Sequence, residues 1–426
     1  MGGTSMKNHY FKTFVMFLLL GLATHVGQTH ADYVYVTNDI INTVSRVNIS
    51  TEVTYPTITV GSEPANIAIT PNGRYAYVAN YVSDTVSVID TFTNAVVKTI
   101  AVGSGAWDVA VSPNGNYVYV TNSNDDTVSI IETSTNTVIA PLITVDTGPV
   151  PVAFTPDGNY AYVGNAGSNT VSVIQTSNPG ATPATITGVT SPGDIAITPN
   201  GLYAYVTSYS TVVTVIGIPS NNIVTTITVG DSSAAGNGNG VVFTPDGNYA
   251  YVTNFNDDSV SVIQTSNFQV IQTITTGIGA GPSGIAMSPS GQFAYVTNAN
   301  DNTISVIDIA NNNIVSSVIP VSGGNLLYGI AVLQPGPAGS LNGFVVKTKF
   351  ASQTDRIHKL RWTQSSDPNV VGYNLYRNGV LIYIVSTSGP FQYADHNRRP
   401  NVVDTYALTT FNNSGTESIP LTVQLE

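Results

Sequence analysis

The chain has 426 residues, enough to bury a large core, yet only 9% of them are charged and the formal net charge is −12. Abundant Gly, Asn, Ser, Thr, Val and Tyr exclude an intrinsically disordered chain and suit short strands joined by tight turns. The absence of cysteine excludes disulfides, thiol nucleophiles and a lipid-modified N-terminal cysteine.

In chain order, Lys7 and Lys12 precede an apolar run from Phe14 to Ala23 and a small, polar stretch ending Thr29-His30-Ala31. This pattern predicts a secretory signal peptide over residues 1–31, cleaved near Ala31, because the run is too short to span a bilayer. Nothing downstream reads as a membrane anchor. The mature protein is therefore expected to be soluble and secreted, periplasmic or at the cell surface.

From Tyr33 onward the sequence repeats. Tyr35-Val36-Thr37-Asn38 returns in variant form at Tyr77, Tyr119, Tyr162, Tyr205, Tyr251 and Tyr295, with successive tyrosines 42, 42, 43, 43, 46 and 44 residues apart. That period predicts four-stranded propeller blades. Residues 65–102 show one unit: Asn66–Ile69, a Pro71-Asn72-Gly73 turn, Tyr75–Asn80, Thr85–Asp90 and Val96–Val102 alternate as four strands. The Pro-x-Gly turn recurs from Pro113, Pro156, Pro199, Pro245 and Pro289. Residues 230–240 are a Gly- and Asn-rich insertion, and the blade around Tyr205 has Ser208 for the usual Asn.

The two ends are complementary. Tyr33 opens at a second strand with no inner strand before it, and Tyr328–Leu333 is an inner strand with no second strand after it. Joined, they predict an all-β, seven-bladed propeller over residues 32–333 with a shared closing blade, which removes the open edge. These tetrapeptides resemble the YVTN β-propeller family of bacterial and archaeal exported and surface-layer proteins, and the resemblance implies the fold rather than an activity.

Residues 334–343 read as a Pro- and Gly-rich linker, and the pattern changes after them. Strands are expected over Phe344–Phe350, Ile357–Thr363, Val371–Arg377, Val380–Val385 and Thr405–Phe411, with a hairpin turn at Asn378-Gly379. Leu360-Arg361-Trp362, the Gly372–Gly379 stretch and Tyr406 resemble a fibronectin type III β-sandwich over residues 344–426. That resemblance implies a spacer or adhesive module with Trp362 in its core.

The chemistry of the propeller is defined by its charges. Its five histidines all lie elsewhere, at His9, His25, His30, His358 and His396, so it lacks the usual near-neutral base and zinc ligands. Between residues 33 and 333 three bases, Arg46, Arg74 and Lys98, face eighteen acids, a net −15. Nucleic acid is not an expected partner. Propeller winding puts twelve of the acids, and no base, on the face bearing the loops after the second and fourth strands: Asp39, Glu63, Asp84, Asp108, Asp125, Asp126, Asp146, Asp194, Asp231, Asp257, Asp258 and Asp301. They serve turns and solubility, and Asp125-Asp126 with Asp257-Asp258 are candidate oxygen donors for Ca²⁺. No other cofactor is implied.

The funnel on this face is expected to be lined, blade by blade, by Asn66, Asp108, Pro151, Asp194, Gly240, Gly284 and Gly329. Glu63, Asn66, Trp107, Asp108, Asp194 and Tyr328 form the candidate ligand site, since an aromatic beside carboxylates and amides suits sugars and small polar ligands. The expectation is an exported, non-enzymatic binding or scaffolding protein with a protein or carbohydrate partner at the cell envelope. The alternatives are a self-associating surface-layer protein and an envelope hydrolase or lyase working through funnel carboxylates. A convergent pair of carboxylates with raised pKa would favour the hydrolase.

Overall fold

The computed structural model describes residues 33–333 except 50, 92, 234–238, 312 and 325, and residues 340–425 except 351–352, 364, 366–369, 390, 396–402, 412–417 and 419–420. The candidate signal peptide, residues 334–339 of the expected linker and His396 lie outside them. Among the described residues all regular structure is β-strand.

Blade 2 shows the unit. Strands a to d, from the axis outward, are Pro64–Ile69, Tyr75–Asn80, Thr85–Asp90 and Ala95–Ala101, antiparallel throughout. Strand b is sealed between the neighbouring blades, with Ala76 to Ala79 fully buried, whereas strand d is mostly exposed. The core is accordingly divided into seven apolar clusters, one at each interface between blades. Tyr77, Val86, Val88 and Ile100 of blade 2, for example, pack on Val109, Val118, Val120 and Ile131 of blade 3.

The ring closes as the two ends of the repeat predict. Leu327–Leu333 is strand a of blade 1 and pairs antiparallel with Tyr33–Asn38, from Tyr33 opposite Leu333 to Asn38 opposite Leu327. Thr43–Asn48 follows as strand c, and strand d is split into Val53–Thr54 and Ile58–Thr59 on either side of Pro56, which has no amide for a ladder.

Each residue of the repeated tetrapeptide has a separate job. In several blades the tyrosine hydroxyl reaches the c–d turn of the next blade: Tyr35 donates to Asn94 Oδ1 at 2.6 Å, Tyr77 to Asn136 at 2.6 Å and Tyr162 to Asn221 at 2.7 Å. The valine fills the interface core. The threonine hydroxyl donates to a backbone carbonyl of the next inner strand, as from Thr121 to Val150 at 2.8 Å and from Thr297 to Tyr328 at 2.8 Å. The asparagine amide fastens the b–c loop, with Asn80 Nδ2 donating to Thr85 Oγ1 and Ser87 Oγ and Asn122 doing likewise to Thr127 and Ser129.

Thr121 also accepts the Asp108 amide at 3.0 Å. Thr121→Val should therefore orphan two buried backbone groups at about 1 to 3 kcal/mol each. Urea unfolding measures this, and a loss under ~0.5 kcal/mol, within the range of an inert surface change, would remove the threonine from the ring-closing network.

After the propeller come two sheets. Ser340–Phe350, Gln353–Thr363 and Gln392–Asp395 form one; the other runs Val380–Ser386, Gly372–Arg377, Asp404–Phe411, Leu421–Leu425. Leu360 and Trp362 from the first meet Tyr373, Leu375, Tyr406 and Leu408 from the second in one core, a small β-sandwich. Asn378 and Gly379 both have positive φ, as a two-residue hairpin turn requires. The first strand begins at Ser340, inside the stretch read as linker, because the hairpin ladder with Gln353–Thr363 extends back to pair Ser340 with Thr363.

Candidate functional site

The seven a-strands surround a cavity of about 480 Å³ that opens on the acidic face. Its wall includes the seven residues Asn66, Asp108, Pro151, Asp194, Gly240, Gly284 and Gly329, one from each blade. Six of these residues, all but Gly240, sit where strand a slips register against strand b, in blade 2 between Pro64 and Ile67 and in blade 5 between Pro192 and Ile195. Such a bulge re-aims a side chain. In several blades the tetrapeptide threonine accepts the amide freed there, as Thr121 does from Asp108 and Thr207 from Asp194 at 2.9 Å.

The wall is two-sided. On the glycine side, a Cβ at Gly284 would lie 2.3 Å from the Tyr328 carbonyl and one at Gly329 would lie 2.5 Å from Asn66 Oδ1, so neighbouring strands approach as bare backbone. The other side carries Asn66, Asp108, Pro151 and Asp194. Asn66 Nδ2 donates to Asp108 Oδ1 at 2.6 Å, which also accepts the Val109 amide at 2.8 Å. Asp108 Oδ2 accepts the Val152 amide of the next blade at 2.8 Å. Asp194 repeats the pattern with Ile195 at 2.7 Å and Val241 at 2.8 Å, but among the described residues it has no side-chain donor, since the preceding blade presents Pro151.

Neither carboxylate meets a cation, and burial therefore dominates. Asp108 is 6% exposed, and burial together with the charge of Asp194 pushes it up to about 7 against the opposing pull of its three donors. Burial pushes Asp194 up to about 6. Between about pH 6 and 7 Asp108 therefore keeps its proton while Asp194 is mostly ionised, one member able to give a proton and the other to take one.

Nearer the mouth, burial and then the charge of Glu63 raise Asp39 to about 6, and Tyr328 rises to about 12 through burial and the charges of Asp39 and Glu63. Trp107 meets Tyr81 edge-on, with centroids 5.2 Å apart at 85°.

All six sequence-predicted site residues, Glu63, Asn66, Trp107, Asp108, Asp194 and Tyr328, line this one cavity. Sequence reasoning counted Asp39 among the acids of this face but left it, Tyr81 and Tyr209 out of the candidate site. Asp39 and Tyr81 line the cavity, and the Tyr209 phenol is pushed up by burial and by the charges of Asp194, Tyr328 and Asp108. All three directly follow the tetrapeptide, where the seven blades read Asp39, Tyr81, Ser123, Ala166, Tyr209, Phe255 and Ala299. That variation is the same signal that singled out Asp108.

The candidate Ca²⁺ donors are not brought together. Asp125 and Asp126 lie in the b–c loop of blade 3 and Asp257 and Asp258 in that of blade 6. Each accepts a loop amide: Asp125 from Ser104 at 2.6 Å, Asp126 from Gly148, Asp257 from Asp231 and Asp258 from Gly281, all three at 2.8 Å. Asp126 and Asp258 have positive φ, like Asn42, Asp84, Asn169 and Asn302 at the same turn. Among the described residues no three His, Asp or Glu gather as a metal-binding set.

The chain matches the family model described as lactonase, 7-bladed beta-propeller, over residues 28–234 and 232–322. No curated protein matches it. Among solved structures it is similar to hydrazine synthase of Kuenenia stuttgartiensis, at 22% identity over 67% of this chain and 98% of that one, with a TM-score of 0.56. It is also similar to proteins provisionally described as 6-phosphogluconolactonases from Bacteroides uniformis and Bacteroides fragilis, at 17% and 15% identity. These cover 71% and 72% of this chain and 99% of each of theirs, with a TM-score of 0.59 for both. At such identities the structures speak for the fold alone.

The family match corrects the expectation of a non-enzymatic binding or scaffolding protein. That expectation rested on the absence of His and Cys from the propeller, whereas two aspartates of the cavity wall hold acid–base groups near neutrality without either. Matched over more than half its length by this description, the chain belongs to the lactonase family of seven-bladed β-propellers.

Proposed function

We propose that the protein is an exported hydrolase that opens a cyclic ester in the propeller funnel, with Asp108 and Asp194 as acid and base. The observation that carries this reading is the pair itself: two carboxylates on one cavity wall, Asp108 buried and Asp194 partly so, raised to about 7 and about 6. Asp194 takes the role of base. It has fewer hydrogen-bond donors than Asp108 and keeps part of its surface on the cavity, so it has lone pairs left for a water. It removes a proton from that water as the oxygen attacks the lactone carbonyl. Protonated Asp108, held by Asn66, gives its proton to the departing ring oxygen as the acyl C–O bond breaks. The product is the hydroxy acid, and transfer of one proton from Asp194 to Asp108, directly or through solvent, restores the starting pair. Trp107 and Tyr81, set edge to face, offer the ring an aromatic corner to pack against.

Around this site the finer reading is a YVTN-type propeller released by cleavage near Ala31 into the periplasm or beyond, with a fibronectin type III-like module after it. Support comes from the charged and apolar pattern of residues 1–31, the repeated tetrapeptide, and Trp362 in the sandwich core. The substrate is a small carbohydrate-like molecule rather than nucleic acid, given the −15 balance of the propeller.

The test is hydrolysis of a neutral δ-lactone followed by proton release across pH. The base must be ionised and the acid protonated, so kcat/KM should rise through about 6 and fall through about 7 as a narrow bell. A rate no higher than the uncatalysed one, or a flat profile from pH 5 to pH 8, would sink the assignment.

A further inference from the structure

We propose that the substrate class is a lactone without phosphate or carboxylate, uncharged or cationic, and that Asp39 and Glu63 at the funnel mouth enforce the choice. The inference rests on the hydrolase reading above and goes further by naming what the hydrolase accepts.

Three observations converge. First, every ionisable side chain in the cavity wall is an acid or a phenol: Asp39, Glu63, Asp108, Asp194, Tyr81 and Tyr328. The three bases of the propeller are all engaged or placed elsewhere. Arg46 lies 3.9 Å over the Tyr33 ring and 4.6 Å over that of Tyr55; Arg74 pairs with Asp90 at 2.7 Å; Lys98 sits on the outermost strand of blade 2. A phosphate entering the funnel would exchange its hydration for a field of its own sign, with no guanidinium, ammonium or helix N-terminus among the described residues of the wall to receive it.

Second, Asp39 and Glu63 differ from the other acids of that face. Asp84, Asp146 and Asp301, like the four loop acids above, each accept a hydrogen bond, from Gly105, Thr170 and Ala280 respectively. Among the described residues no hydrogen bond reaches the carboxylate of Asp39 or Glu63. They border the same cavity close enough for the charge of one to raise the other, and the Glu63 amide, donating to Asn42 Oδ1 at 2.9 Å, ties the two loops together.

Third, the apolar part of the mouth is aromatic, with Trp107 and Tyr81 in edge contact and Tyr328 nearby. Negative charge beside aromatic faces suits an uncharged ring that stacks, or an ammonium group, and opposes an anion.

The test uses the full chain and three lactones: D-glucono-δ-lactone, its 6-phosphate and the ammonium-bearing α-amino-γ-butyrolactone. Turnover is read by proton release. Binding is read separately, as fluorescence quenching by gluconolactam and by its 6-phosphate, with Trp107→Phe subtracting the signal of Trp362. Repulsion between a phosphate and two carboxylates at partial screening predicts at least about thirtyfold weaker binding of the phosphorylated lactam at low salt. The phosphorylated lactone should be hydrolysed correspondingly more slowly than the neutral one, and the ammonium lactone at least as well. In the Asp39→Asn/Glu63→Gln variant the neutral-to-phosphate ratio should shrink about tenfold. Equal or tighter binding of the 6-phosphate, or a ratio indifferent to the double substitution, overturns the proposal. Charge-selective binding without turnover of any lactone would overturn the hydrolase reading and uphold the selection; turnover of the phosphorylated lactone at the neutral one's rate would do the reverse.

Discussion

Asp108→Asn and Asp194→Asn are each expected to lower kcat/KM for a neutral lactone by about 10²- to 10⁴-fold, the usual worth of a positioned acid or base. Both residues also staple blades, since their carboxylates accept the Val152 and Val241 amides of the next a-strand. An asparagine turns one acceptor into a donor there and should cost about 1 to 3 kcal/mol at an orphaned amide. Loss of activity alone would therefore not separate catalysis from support. The pH dependence of stability does. A carboxyl raised from 3.8 to about 7 on folding favours the protonated fold. Its contribution is fully present below about pH 4 and is lost as pH rises through about 7, on the order of 4 kcal/mol for Asp108. Asp108→Asn should be less stable than the parent at pH 4 and should escape that decline by pH 8. Melting temperature and kcat/KM measured in the same buffers decide the matter. A variant that melts early yet keeps its kcat/KM would leave Asp108 a staple and nothing more.

The fold was legible because the tetrapeptide is a set of contacts repeated around a ring. Tyr reaches the next blade, Thr the next inner strand and Asn its own loop, so selection on any one contact writes the same letters at every turn of about 43 residues. The candidate site was legible for the opposite reason: Asn66, Asp108 and Asp194 break a pattern that reads Gly or Pro elsewhere. What the letters did not carry was environment. An aspartate in this repeat reads the same whether it caps an amide in water from a loop, as Asp125 does, or lies buried on an inner strand, as Asp108 does. Burial raises the Asp108 carboxyl to about 7, useful for hydrolysis near neutrality. The absence of histidine was therefore weighed too heavily. Likewise, the strands Gln392–Asp395 and Leu421–Leu425 escaped notice because each is short and lacks an alternation longer than two or three residues.

Truncation after Leu326 is expected to prevent the propeller from folding as a monomer, whereas truncation after Leu333 should leave it folded. The seven residues between them are the whole of strand a in the closing blade. Leu327, Ile330 and Leu333 are each at most 8% exposed, and burying such side chains contributes about 1.5 to 3 kcal/mol apiece. Together they approach the full stability of a typical domain, before counting the ladder to Tyr33–Asn38 or the Thr37 hydroxyl that accepts the Gly329 amide at 2.9 Å. The shorter chain would also expose Tyr33–Asn38 as an unpaired strand, an open template for another molecule. It would lose Tyr328, Gly329 and Ile330 from the funnel wall as well, so closure and the site fail together. Size-exclusion chromatography and thermal melts of the two truncations make the comparison. A chain ending at Leu326 that stays monomeric and melts within a degree or two of the one ending at Leu333 would mean that the ring does not depend on its seam.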